Sequence, residues 1–207
     1  RKNNRKIFMI TFALFSALSA FYFTMFFTPG PNNAMLTASG MKFGFVRTLP
    51  HLIGIPLGHI FQIGLTCFGL AKIFIIYPQI QFYMKFLCFA YLLYLGWQMI
   101  GSFSVIKKES GRPLKFYEAS LFQFINPKAW SIAITVASGF FPTEENIFIG
   151  IAFVTLTAAI ICFPTISLWA LFGSGLRAFV NKDKTKKIIE YILALLLVLT
   201  GIFILIK

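Results

Sequence analysis

The sequence predicts an all-α polytopic membrane protein: about six transmembrane helices forming two inverted three-helix repeats, with broken helices in segments one and four. Three observations predict it. The 207 residues are 58% hydrophobic and 12% charged, against roughly 25% charged and about 45–50% apolar in an ordinary soluble domain, so too little polar surface remains to cover a core of this size. Five stretches, Ile7–Met41, Thr48–Ala71, Phe86–Ile106, Asn146–Leu176 and Tyr191–Ile206, contain no Asp, Glu, Lys or Arg, and a spanning helix needs about 20 mostly apolar residues. Two apolar segments are interrupted by proline beside asparagine, at Pro29–Asn33 and at Asn126–Lys128. A soluble enzyme, a secreted disulfide scaffold and a disordered tail are excluded.

The segments run roughly over 9–41, 50–71, 79–106, 118–142, 146–176 and 188–206. Continuous apolar runs without strict alternation exclude transmembrane β-strands. The first and fifth exceed one span, so each is expected to be broken, tilted or interfacial over part of its length. The longest connectors, 107–117 and 177–187, leave no room for an extramembrane domain. Twenty-seven phenylalanines read as lipid-facing bulk. Cys67, Cys88 and Cys162 lie in separate apolar runs with no C-x-x-C or zinc spacing, and read as buried, inert thiols.

Charge sets the orientation. Lys42 and Arg47, Lys107, Lys108, Arg112 and Lys115, and Arg177, Lys182, Lys184, Lys186 and Lys187 follow segments one, three and five and would share a side. The opposite side holds Arg1, Lys2, Arg5, Lys6, Lys72 and Lys207, with the acidic pair Glu144–Glu145. Cytoplasmic loops are enriched in Lys and Arg, which places both termini outside. The basic opening argues the other way, and two readings stay open. Residues 1–8 are a basic extension ahead of a natural start at Met9 and a single membrane domain over 9–207, or the amino terminus is cytoplasmic and only five segments cross. Ala17-Leu-Ser-Ala20 has the order of a signal-peptide cleavage site, but the apolar run continues well past it. The net charge of +13 is spread in short clusters between apolar runs, so nucleic acid is not the expected partner; lipid is.

The halves show faint self-similarity. Pro29 to Ala38-Ser39-Gly40 resembles Pro127 to Ala137-Ser138-Gly139, and Phe68-Gly69-Leu70 resembles Ser174-Gly175-Leu176. Leu95-Gly96 also matches Thr200-Gly201 in position. A three-helix unit repeated once must be inverted, because an odd number of crossings reverses the second copy. In transporters of that plan the substrate site lies near the midplane at the repeat interface.

The two breaks are the candidate site. Pro29 and Pro31 remove two backbone donors and Gly30 frees the chain, so the first helix stops and restarts, with Pro31 suited to the first helical position. Asn126 is a favoured cap and Pro127 follows it. Backbone freed at membrane depth must face protein or a water-filled cavity, and a helix amino terminus suits a carboxylate. The candidate substrate-binding residues are therefore Pro29, Gly30, Pro31, Asn32, Asn33, Asn126, Pro127 and Lys128. Asn32 and Asn33 suit either end of a small zwitterion, and Lys128 either adds charge or snorkels to an interface. The alternative is a pair of kinks that merely shapes packing.

His51 and His59 are candidates for a coupling proton, or are simply hydrogen-bonded. Eight residues apart, roughly 12 Å along a helix, they cannot share one metal. Gln62 and Gln123 line a path or bridge helices, and Glu118 and Glu190 read as solvated or paired. Gly40-x-x-x-Gly44 and Gly54-x-x-x-Gly58 fit close helix contact, and Pro56 and Pro164 mark further kinks. No P-loop, H-E-x-x-H or G-x-S-x-G is present, so neither enzyme chemistry nor a cofactor is expected. No acidic residue lies mid-run, which favours a neutral substrate.

Pro29-Gly-Pro-Asn-Asn33, followed by Gly40 and Phe43-Gly-Phe45, together with Gly54-x-x-x-Gly58, Tyr91-Leu-Leu-Tyr-Leu-Gly-Trp97 and Phe124-Ile-Asn-Pro-Lys-Ala129, resembles the LysE/RhtB family of amino-acid exporters from about Met9 to the carboxyl end. The length from Met9 and the leucine-rich last helix look most like the branch of the cysteine and O-acetylserine exporter. The resemblance implies a multi-pass secondary transporter of the bacterial inner membrane, exporting amino acids or their derivatives and driven by proton motive force. Many members carry an acidic residue where this chain has His59, which leaves the coupling residue open. Thiol-redox carriers of the wider superfamily need a cysteine near each break, and neither break has one. A non-transporting assembly partner or degenerate family member is the alternative, and association into a homo-oligomer is left open.

Overall fold

The computed structural model describes residues 10–70, 76–77, 79–100, 111–142, 145–179 and 183–206. The expected extension 1–8, Met9, Lys72, Lys107, Lys108, Glu144, Lys182 and Lys207 lie outside the described residues, as does the Glu190 side chain. Among the described residues the structure is all-helical.

Helix α1, Phe12–Phe27, starts at Thr11, whose hydroxyl accepts from the Leu14 amide at 3.1 Å. It stops at Thr28, which is extended (φ −64°, ψ 144°) because the ring of a following proline disfavours the helical region. Helix α2, Pro31–Phe43, restarts with Pro31 in the first turn, and the two axes differ by 56°. Gly44, at φ 84°, turns the chain through a conformation L side chains resist into α3, Phe45–Leu65. That makes Gly44 a turn residue, and the second segment starts five residues earlier than expected. A π-helical turn, Thr66–Leu70, with Gly69 at φ 118°, ends this element.

The remaining helices are α4 (Gln79–Met99), α5 (Phe116–Phe122), α6 (Pro127–Gly139), α7 (Ile147–Phe179) and α8 (Asp183–Ile206). Segment four is thus broken as expected, over Gln123–Asn126. Segment five is one 33-residue helix with Pro164 inside it. At 1.5 Å per residue it is roughly 50 Å long, more than a bilayer's hydrocarbon core of about 30 Å.

By length and composition, Phe45–Gly69 and Ile147–Leu176 can cross a membrane, and α1 with α2 makes a third span if the bent pair is one. The shorter apolar stretches Lys85–Trp97 and Tyr191–Ile202 belong to α4 and α8. Two or three spans among the described residues fall short of six because the fourth segment is cut into pieces of seven and 13 residues and the third and sixth contribute only the shorter stretches Lys85–Trp97 and Tyr191–Ile202.

Glycine sets the helix spacing. A Cβ on Gly40 would lie 2.2 Å from the Ala170 carbonyl oxygen, and one on Gly173 would lie 2.1 Å from that of Thr37, so α2 and α7 touch backbone to backbone. Gly54 and Gly58 do the same for α3 against Phe116 and Ser120 of α5, as their spacing predicts. The order of these contacts gives the helix directions. Tyr22 bonds the Val154 carbonyl and Gly40 meets Ala170, so α1–α2 and α7 run the same way. Gly54 and Gly58 meet Phe116 and Ser120 in order, so α3 and α5 also run together. Phe89 faces Gly201 and Gly96 faces Ala194, so α4 and α8 are antiparallel.

Lys42 lies beside Gly111 at one end of the bundle, and Phe68 meets Phe148 at the other. Leu18, Tyr22, Leu36, Leu52, Ile55, Ala133, Val154 and Ile166 share one buried cluster. Phe12, Phe15, Phe23, Phe61, Phe82 and Phe86 are exposed, as a lipid-facing surface requires, while Phe26 and Phe122 are buried. Cys88 and Cys162 are buried and Cys67 half-buried.

The Ala-Ser-Gly match between the halves is out of register. Counted from the proline that opens each 13-residue helix, Gly40 is the tenth residue of α2 and Gly139 the last of α6. Ser39 is buried and bonded to Thr48, whereas Ser138 is exposed and nothing lies within 4 Å of a Cβ on Gly139. What corresponds is the break followed by a proline-started helix.

Candidate functional site

The two breaks meet. A helix end leaves its last four carbonyls without amide partners, and at membrane depth these cannot be left to lipid. Five consecutive carbonyls at the end of α1 are taken by side-chain donors. Thr28 Oγ1 donates to Met25 O at 3.0 Å, and Asn33 Nδ2 donates to Phe26 O and Thr28 O, both at 2.8 Å. Trp169 Nε1 donates to Phe27 O at 3.2 Å. Lys128 Nζ donates to Thr28 O at 2.7 Å, Thr28 Oγ1 at 2.9 Å and Pro29 O at 3.2 Å. Lys128 therefore neither snorkels nor lies open: its three donors cross from α6 to the carboxyl end of α1, where a cation meets the negative pole of the helix dipole. Gly30 is extended, so its value is space; a Cβ there would lie 2.9 Å from Lys128 Cδ.

The second break is closed by its own turns and by α3. Phe124 and Ile125 amides reach back to Leu121 and Phe122, the Gln123 carbonyl accepts from Gln62 Nε2 at 2.9 Å, and the Phe124 carbonyl accepts from Trp130 Nε1 at 2.8 Å. Asn126 caps α6 as expected, its Oδ1 accepting from the Lys128 amide at 3.1 Å. The two breaks are tied by a reciprocal amide pair: Asn32 Nδ2 donates to Gln123 Oε1 at 2.8 Å and Gln123 Nε2 to Asn32 Oδ1 at 3.2 Å.

The two helix starts are therefore unequal. Asn126 occupies the amino end of α6, whereas α2 begins at Gly30 with no side-chain cap. Gly30, Asn32, Asn33, Asn126, Lys128 and the ring of His59 line a shared cavity of about 20 Å³, room for roughly one water. Asn126 thus occupies one of the two helix starts expected to face a zwitterion. One end is open, and the Asn32 and Asn33 amides are committed to holding the breaks. Pro29, Pro31 and Pro127 act through the backbone, by stopping and starting the helices.

The histidines separate. His59 is buried at this cavity with its ring 5.0 Å from that of Phe26, and no described group bonds its Nδ1. His51 lies away from the breaks, in the wall of a second cavity. Among the described residues no group of three His, Cys, Asp or Glu side chains can hold a metal. Glu118 is paired as expected, with both carboxylate oxygens 2.6 Å from Arg112. Of the two readings open for Gln62 and Gln123, lining a path or bridging helices, the hydrogen bonds show bridging, whereas Trp169 carries no local signal in the sequence: it is one aromatic among many in a long apolar run.

The family model described as LysE type translocator matches residues 23–207. The cysteine/O-acetylserine efflux proteins of Salmonella paratyphi A and Salmonella typhi are each 32% identical over 186 residues, covering 87% of this chain and 93% of theirs. That of Escherichia coli K12 is 26% identical over 165 residues, covering 79% of this chain and 84% of its own. No solved structure matches.

Proposed function

The chain belongs to the LysE type translocator family, a family of membrane transporters and not of enzymes, and on that premise we propose that it exports small neutral amino acids or their derivatives across a bacterial inner membrane by alternating access. Similarity to proteins named for cysteine and O-acetylserine efflux supports that substrate class. The observation that carries the mechanism is the uncapped start of α2 lying against Lys128 at the first break. This is the place where a carboxylate meets free amides and a cation. Every donor of Lys128 is engaged, so a carboxylate enters by displacing the Pro29 or Thr28 carbonyl, loosening the break as it binds. That exchange couples occupancy to a change in helix angle, and the cavity of about 20 Å³ belongs to the closed state.

Six crossings in two inverted repeats fit the observed directions. The α1–α2 pair and α7 run one way, α3 and α5–α6 the other, and α4 opposes α8. Lys42, Gly111 and Arg112 gather at the end the positive-inside rule assigns to the cytoplasm. We place the coupling proton on His59, which is buried at the break cavity with no described group bonding its Nδ1. His59→Gln is expected to stop accumulation driven by a pH gradient in vesicles while counterflow exchange continues. Gradient-driven transport at the wild-type rate would remove His59 from coupling.

The test of export itself is amino-acid profiling of the medium of bacteria overexpressing the chain, against Asn32→Leu at equal membrane abundance. A rise in one or a few small neutral amino acids, at least fivefold smaller in the variant, is expected. No rise across a full panel with the protein inserted would refute export of amino acids.

A further inference from the structure

A second cavity, of about 330 Å³, lies further along α2 and within the size range of small-molecule sites. At its mouth stand Lys42 and the Arg112–Glu118 ion pair, and in its wall are Ser39, His51 and Tyr91. His51 is 2% exposed, and among the described residues nothing hydrogen-bonds either ring nitrogen. A buried polar group without a partner is uncommon and unfavourable, and here it stands beside a space that accepts a ligand. The cavity is one helical turn from the breaks. Met35 lines it while Asn32, three residues earlier on α2, lines the break cavity. On α5 Glu118 lines it, and Gln123 follows five residues later at the helix end.

We propose that this cavity is the chamber where substrate loads from the basic end before passing to the breaks. It takes a small zwitterion whose side chain carries a hydrogen-bonding group, and His51 reads that group. The inference rests on the export reading above. A mouth carrying both signs of charge matches a zwitterion. The break cavity is too small for an amino acid, while this one is large enough. An aliphatic side chain in the chamber would leave both His51 nitrogens unpaired, and a site built around a hydrogen bond discriminates strongly against analogues that cannot make it.

The test compares transport of serine and O-acetylserine with that of alanine in inverted membrane vesicles carrying wild type, His51→Leu and His51→Gln. The serine-to-alanine and O-acetylserine-to-alanine ratios are expected to fall at least tenfold in His51→Leu, and to return to within about threefold of wild type in His51→Gln. Unchanged ratios in His51→Leu overturn the proposal and leave export standing. Should the leucine variant fail to insert, Ser39→Ala carries the same comparison. If wild type moves none of the three, the melting temperature of the purified protein with O-acetylserine decides. A shift present in wild type and absent in His51→Leu keeps His51 as part of a binding site but overturns its role as a loading chamber for these compounds; no shift in wild type overturns the site as well.

Discussion

Lys128→Met is expected to abolish export and to lower the stability of the protein by roughly 2 kcal/mol. Interhelical hydrogen bonds in membranes measure about 0.6 kcal/mol on average and up to about 1.7, and this substitution removes the three that Lys128 makes to Thr28 and Pro29. The functional loss exceeds the structural one because the ammonium is also the cation at the open start of α2. Thr28 O keeps Asn33 as a donor, so the break does not collapse and the variant reaches the membrane. Lys128→Arg is not expected to rescue. The chain at Gly30 already approaches Lys128 so closely that a Cβ would sit 2.9 Å from Cδ, and a planar guanidinium does not fit where a compact ammonium does. Gly30→Val reproduces the defect from the other side by pushing Lys128 off its carbonyls. The checks are thermal unfolding in detergent and amino-acid flux in vesicles at matched abundance. Flux within twofold of wild type in Lys128→Met would remove the charge from the mechanism.

The Lys128 contacts also mark where the sequence stops being informative. Proline chemistry is local, so the position of both breaks and the capping role of Asn126 follow from a few adjacent residues, and the apolar runs place the helices to within several residues. What closes the first break is non-local. Lys128 is 100 residues from Thr28 and Trp169 is 142 from Phe27, and no spacing rule connects them. The same reason hid the difference between the histidines. His51 and His59 look alike on one helix, but α3 packs against α5 and α6, so each ring faces a different cavity. The glycines divide along this line too. Gly54-x-x-x-Gly58 was legible because its partner is one helix face, whereas Gly40 meets Ala170 and Gly173 meets Thr37, and no motif marks Gly173.

Gly40→Ala and Gly173→Ala are each expected to destabilise the protein by about 1–3 kcal/mol, the range for forcing a methyl group into a filled space. At both sites the obstacle is backbone: the Ala170 carbonyl oxygen 2.2 Å from a Cβ on Gly40, and that of Thr37 2.1 Å from one on Gly173. A side chain cannot rotate away, so α2 must move off α7. Once one methyl has separated the helices the second meets less resistance, and the double variant is expected to lose less than the sum of the singles, as contacting residues commonly couple. Gly175→Ala is the control. Nothing lies within 4 Å of its Cβ, and alanine is favoured over glycine inside a helix by up to about 1 kcal/mol, so this variant should be neutral or slightly stabilised. The functional consequence depends on where the molecule moves. Backbone contact makes α2 with α7, and α3 with α5, two closely fitted pairs, and on the mechanism proposed above rearrangement is expected at the breaks and at the Asn32–Gln123 bridge between them. Gly40→Ala is therefore expected to slow export through loss of folded protein, with flux per folded molecule close to wild type. A flux per folded molecule reduced tenfold would mean that α2 slides along α7 during transport, and would move the hinge from the breaks to this interface.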